Sequence, residues 1–144
     1  MSVRRIGNFN FNRKSKQLLA LKSTLPIILA NLAVNHFKEG FKKGGGQTDA
    51  SSGGWKSRAA SSKRNLGRAL LVDTGALRRD IRKNKVSFPY TEIGAGNTPK
   101  TNKYAYVHNQ GIGRMPKREF IGKSKVLSTA IDRKILLSIK KALN

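Results

Sequence analysis

Residues 104–124 read Tyr-Ala-Tyr-Val-His-Asn-Gln-Gly-Ile-Gly-Arg-Met-Pro-Lys-Arg-Glu-Phe-Ile-Gly-Lys-Ser, and the rest of the chain is arranged around them. Tyr104, Val107 and His108 fall on one face of a short helical turn. Gly111 stands where a helix needs a left-handed residue to stop. Met115-Pro116 biases the backbone to extended geometry, which with Arg118 to Ile121 predicts a short edge strand ending at Gly122. The stretch predicts helical turn, loop, strand, turn.

Working outward toward the C-terminus, Ser124 can cap a helix running to about Leu143. Its apolar side is Val126, Leu127, Ala130, Ile131, Ile135, Leu136, Ile139 and Leu143, and Lys140 and Lys141 suit the end of the helix dipole. Toward the N-terminus, residues 97–103 form a polar loop after the turn at 94–97. The pairs Lys85–Phe88 and Tyr90–Ile93 alternate at period two and predict strand, bent at Pro89. Before them, Asp73 or Thr74 can cap a short helix. That helix turns Leu77 and Ile81 inward and leaves Arg78, Arg79, Arg82 and Lys83 on its other face.

The segment 44–54 holds five glycines and no large apolar side chain, which predicts a flexible loop. No Gly-Lys-Ser/Thr closes it, so it cannot cradle a phosphate in the Walker manner. Trp55, the single tryptophan, then anchors the returning chain. From 15 to 41 the period is helical, with Leu18, Leu21, Leu25, Ile28, Leu29, Leu32, Ala33 and His36 on one stripe. The stripe keeps its phase across Pro26, so one long kinked helix is expected rather than a fresh start capped by Thr24. His36, on the apolar face, is expected in the core or at an interface. Residues 1–14 form a basic arm, with Phe9 and Phe11 alternating in an extended segment.

The chain is thus expected to be a single α+β domain over 15–144. Long N-terminal and C-terminal amphipathic helices pack on a small antiparallel sheet, with a flexible Gly/Ser-rich loop at 44–54. Two long amphipathic helices present more apolar face than so small a sheet can cover, so subunit contacts are expected to take the remainder.

Composition narrows the function. The chain carries 30 Lys+Arg against 7 Asp+Glu, a net charge of +23 over 144 residues. A small soluble domain typically holds a net charge of about 2–8, so an excess this large points to a polyanionic neighbour such as nucleic acid. The charge is spread along the chain, which favours backbone contact over the reading of base sequence. There is no cysteine, hence neither a disulfide nor a thiolate metal site. The longest apolar run, 25–34, is about half of what a bilayer requires, and neither a membrane span nor a signal peptide is expected.

Catalytic chemistry finds little to work with. His36 and His108 lie far apart in sequence, and the seven acids are scattered singly. No metalloprotease, nucleophile-elbow or dinucleotide motif is present. A fold could still bring His108 beside Glu119. The chain is expected to be non-enzymatic, with no catalytic residue, metal or cofactor.

Four segments in order carry a resemblance: Asn35-His36-Phe37 through Trp55; Leu-Leu-Val-Asp-Thr-Gly-Ala-Leu-Arg at 70–78; Tyr104-Ala-x-x-His108-x-x-Gly111; and Pro116-x-Arg118-x-Phe120-x-Gly122. Together, over about residues 16–140, the chain resembles the tailed-phage virion morphogenesis family of Mu-type tail completion proteins. The resemblance implies a structural virion protein at the head-proximal tail or neck, made in the host cytoplasm. It implies a homo-oligomeric ring on the tail axis, hexameric or dodecameric, beside tail-tube and head-connector proteins and close to DNA. The matched positions take structural roles. Tyr104, His108 and Gly111 shape the helical turn, Arg118 and Phe120 place the edge strand, and Thr74, Gly75 and Leu77 set the short helix against the sheet. Trp55 completes this candidate interface set. Two other readings remain: a basic nucleic-acid-binding module, ribosomal-protein-like or accessory to DNA packaging, and an adaptor that caps a filament without touching DNA.

Overall fold

The computed structural model describes residues 10–58 and 67–144. Residues 1–9, with Phe9 and most of the basic arm, lie outside the described residues, as do 59–66.

The architecture is α+β. A long helix α1 (Phe11–Lys43) leads to a 3-10 turn (Asp49–Ser51), a five-residue helix α2 (Ala76–Asp80), and a hairpin of β1 (Arg82–Val86) and β2 (Thr91–Gly94). Helix α3 (Pro99–Gln110) and helix α4 (Lys125–Leu143) complete it. Strands β1 and β2 are antiparallel, with Val86 opposite Thr91 and Arg82 opposite Gly94, and a bulge between Lys83 and Lys85. Helix α1 packs along α4, and it also contacts the hairpin and α2.

Helix α1 runs unbroken through Pro26, as the constant phase of its stripe predicts. The proline lacks an N–H, so the Lys22 carbonyl loses its usual intrahelical partner. The helix starts earlier than the 15–41 periodicity indicates. Asn10 accepts from the Arg13 N–H and caps it, so residues 11–14 are helical rather than part of an extended arm. At the other end, the N–H groups of Gly44 and Gly45 both turn back to the Gly40 carbonyl.

The buried face of α1 is Pro26, Ala30, Ala33, Phe37, Gly40 and Phe41, rotated from the expected stripe. Its first half is largely uncovered: Leu18, Leu19, Ile27 and Ile28 are exposed, and Phe11 is 73% exposed. Helix α4 behaves likewise, because of its expected stripe only Leu127 is buried. The core collects Phe37, Phe41, Trp55, Leu77, Ile81, Phe120 and Leu127 where both helices meet the rest of the chain. Phe41 sits between Trp55, edge-on at 5.3 Å, and Phe120 at 5.6 Å.

Three further expectations change. The polar loop at 97–103 is mostly helix, since Thr98 and Thr101 form a reciprocal capping box and Pro99 takes the first helical position. Helix α2 stops at Asp80, so Arg82 and Lys83 belong to β1 instead. The strand pair folds as a hairpin whose turn spans 87–90, with a cis Phe88–Pro89 bond inside the turn.

The segment 44–54, flexible by composition, takes a defined path. Its backbone groups find partners on distant parts of the chain: Asp49 N–H donates to Lys123 O at 2.7 Å, and Asp49 Oδ1 accepts from Lys125 N–H at 2.9 Å. His36 Nε2–H donates to the Gln47 carbonyl at 2.7 Å, with Ser124 Oγ 3.1 Å away. Trp55 N–H closes the loop on Gly44 O at 2.6 Å. The glycines serve close approach here: a Cβ on Gly45, at φ 109°, would lie 2.7 Å from the Trp55 nitrogen.

Asp80 binds the middle of the fold together. Its buried Oδ2 accepts from Gly96 N–H and Asn97 N–H, both at 2.8 Å, and from the Thr101 hydroxyl. Burial alone pushes this carboxyl up, but the bonds from Thr101, Asn97 and Gly96 and the Arg82 charge outweigh it. The net result lies below the usual 3.8. A lowered carboxylate pKa stabilises the fold above its unfolded value and loses that contribution as pH falls through the folded value. Asp80→Asn is therefore expected to cost about 2–4 kcal/mol at pH 7, since charge-assisted bonds to three donors are lost. The gap between wild type and variant in urea unfolding should narrow as pH falls from about 4 toward 2.

Candidate functional site

The residues singled out from sequence gather at one end of the molecule. Thr74, Gly75, Leu77, Tyr104, His108 and Arg118 line a single cleft of about 320 Å³ between α2 and α3. Trp55, Leu77 and Phe120 belong to the core cluster behind it. Gly111 ends α3 at φ 71°, and a Cβ there would come 2.7 Å from Lys117 Cα.

The wall of the cleft formed by α2 is set by its start. Gly75, at φ 74°, is the N-cap, and its carbonyl accepts from Arg79 N–H at 3.0 Å. The expected caps play smaller parts. The Thr74 hydroxyl lies 3.4 Å from Ala76 N–H, and Asp73 turns away to Arg68 at 2.8 Å. Leu77 and Ile81 are buried as expected.

Residues 118–121 are not a strand. Helix α3 comes alongside, and one side chain takes the place of a neighbouring strand. Asn109 Oδ1 accepts from Phe120 N–H at 2.9 Å and Ile121 N–H at 3.1 Å, while Asn109 Nδ2 donates to Ile121 O at 3.0 Å. Arg118 N–H donates to His108 O at 2.9 Å, and Trp55 Nε1–H donates to Glu119 O at 3.0 Å. Burial does alternate, with Arg118 and Phe120 inward, although the four residues run polar, polar, apolar, apolar, and the ladder partner is an amide and an indole.

Arg118 is 8% exposed. Its Nε–H donates to Lys56 O at 3.0 Å and its Nη2 to Ser57 O at 3.3 Å, which ties the 116–122 segment to the chain after Trp55. His108 is half-buried and packs edge-on against Tyr104 at 6.1 Å. Burial, then the Arg118 charge, pulls its pKa below the usual 6.5, so the imidazole is neutral at pH 7. Its Nδ1 is buried without a hydrogen-bond partner among the described residues. His108 makes no pair with Glu119, whose carboxylate takes Lys117 Nζ at 2.8 Å.

Asn109, Arg58 and the Asp80–Thr101 contact were not picked out from sequence. Asn109 carries a usable signal, a polar residue two positions before the stop glycine and next to the inward face. The Thr-Pro-x-Thr spacing at 98–101 was also legible as a cap. Nothing local marks Asp80 as the partner of a residue 21 positions on. Among the described residues no group of three or more His, Cys, Asp or Glu side chains could hold a metal ion.

No protein-family model matches the chain, and no curated protein or solved structure is significantly similar to it.

Replacing Asn109 should expose its role. Asn109→Ala leaves two N–H groups and one carbonyl without partners beside the core, with an expected cost of about 2–4 kcal/mol in urea unfolding. Tyr106→Ser, on the exposed side of the same helix, should cost about 0.5 kcal/mol or less.

Proposed function

We propose that the chain is a non-enzymatic structural virion protein of a tailed phage. In this reading it completes the tail or joins tail to head at the neck, as an oligomeric ring around the DNA channel. The observation that carries the reading is the convergence of its four resemblance segments. Phe37, Trp55, Leu77 and Phe120 share one core, and Thr74, Tyr104, His108 and Arg118 share one cleft, although they span more than eighty positions of sequence. Segments that act together in one family's fold should meet in space.

Two physical features fit a subunit of a ring. The paired helices leave Leu18, Leu19, Ile27 and Ile28 of α1 and Leu136, Leu137 and Leu143 of α4 exposed, and contiguous apolar surface of this kind marks interaction sites. Head-to-tail contacts between identical subunits close into rings when the rotation allows, and these faces supply the contact. By length and composition α1 would also pass as a membrane span, with a mean hydropathy of 1.5 and 17% of that window buried. Core helices of soluble proteins pass the same test, and Ala33, Phe37 and Phe41 of α1 are core residues. The net +23 suits a ring threaded by DNA, and it also makes free subunits repel one another at low salt.

The charge by itself favours a second reading, a basic nucleic-acid-binding module. The two separate in one set of measurements. On the ring reading, native mass spectrometry without detergent gives monomer at low salt and hexamer or dodecamer as salt rises, and electron microscopy of tails carrying the protein shows a ring at the head-proximal end. A persistent monomer that binds duplex DNA with a steep loss of affinity in salt supports the second reading and defeats the first.

A further inference from the structure

The cleft between α2 and α3 contains two guanidinium groups and no carboxylate matched to them. Arg118 gives Nε and Nη2 to the carbonyls of Lys56 and Ser57, and Arg58 gives Nη1 and Nη2 to the carbonyls of Arg68 and Ala69. All four acceptors are neutral. A guanidinium has five N–H donors, so each arginine keeps donors without a partner among the described residues. Neither forms an ion pair there, because Asp73, the acid on the cleft wall, is taken by Arg68 at 2.8 Å. Lys100 adds a third cation on the rim.

Buried charge is ordinarily paired, because an isolated ion out of water costs several kcal/mol. Here burial and then the neighbouring Arg58 charge pull Arg118 below its usual pKa. His108 Nδ1, on the same wall, is a further unmatched group. The floor is of the opposite kind, formed by Leu71, Val72, Leu77 and the Tyr104 ring.

We propose that this cleft is the docking site for an acidic segment of a protein partner. A Glu or Asp carboxylate is taken by Arg58 and Arg118, and an apolar residue beside it seats on Leu71, Leu77 and Tyr104. The planar fork of a guanidinium matches a carboxylate. A volume of about 320 Å³ holds one or two side chains, at the small end of ligand sites. A nucleic-acid phosphate brings sugars and further charge, which leave the apolar floor unused. A second copy of the chain is a poor donor. Six of its seven acids, Glu39, Asp49, Asp73, Asp80, Glu92 and Glu119, are already held by its own groups, which leaves only Asp132 on α4. The inference does not depend on the neck reading, since an acidic docking segment serves any assembly.

The chain has two histidines, so the imidazole signals of the full-length protein report the cleft directly. The probes are N-acetyl-Leu-Glu-Leu-amide, its Leu-Gln-Leu counterpart and inorganic phosphate, titrated at constant ionic strength and followed by NMR. The Glu peptide is expected to move the His108 signals and not those of His36, with affinity about tenfold or more above that of the Gln peptide. Arg58→Gln, at a half-exposed position, should weaken the Glu peptide about tenfold, and Lys100→Gln does the same more weakly if Arg58→Gln fails to fold. Equal response to the two peptides, no response of His108, or tighter binding of phosphate than of the Glu peptide each overturns the assignment.

Discussion

The Asn109 carboxamide meets the backbone of Phe120 and Ile121 as a neighbouring strand would, accepting from two N–H groups and donating to a carbonyl. That one substitution of side chain for strand sets much else. It holds the 116–122 segment against α3 without a third β-strand, which allows a two-stranded sheet to suffice. It aims Phe120 at Phe41 and Trp55, and it delivers the chain to Ser124, where α4 begins. Backbone groups beside a core must find partners. In this chain the partners are an amide, an indole and the last carbonyls of a helix.

Periodicity made the long elements legible. Helices α1 and α4, the stop at Gly111 and the inward turn of Leu77 and Ile81 all follow from local pattern. What failed were inferences about which neighbour a segment would find. The extended bias after Pro116 marks a segment that runs beside a neighbour but cannot say whether its ladder partner is a strand or Asn109. The glycine content of 44–54 indicates freedom in the unfolded chain, whereas its path is fixed by Lys123, Lys125 and His36, all distant in sequence. The helical stripes were found but overextended, because an apolar face shows only that something should cover it. Leu19 of α1 and Leu136 and Leu137 of α4 stay more than half exposed among the described residues. The cleft was legible only as separate residues, since Arg58 and Arg118 meet through a fold that neither local sequence encodes.

Electrostatics and hydrophobic burial pull in opposite directions along the two-helix arm. Phe11, Leu19 and Leu143 favour covering this surface, while Arg13, Lys14, Lys16, Lys22, Lys140 and Lys141 along the same stretches resist bringing like surfaces together. Ionic strength sets the balance between them, because screening shortens the repulsion to within about 10 Å at 0.1 M salt while leaving apolar burial intact. A surface of this kind is held apart until its surroundings supply anions.

The contacts that order the 44–54 segment have a consequence for the order in which the chain can fold. His36 and Ser124 are 88 residues apart, and Asp49 reaches Lys125 across 76. Closing loops of that length is slow compared with forming a helix, which needs only neighbours. During synthesis α1 can therefore coil early, but its core-facing phenylalanines wait for Phe120 and α4 to leave the ribosome. Until then an apolar helix stands uncovered, and like charge on its lysines and arginines opposes contact between such helices. Net charge thus bears on the solubility of the incomplete polypeptide as well as of the folded one.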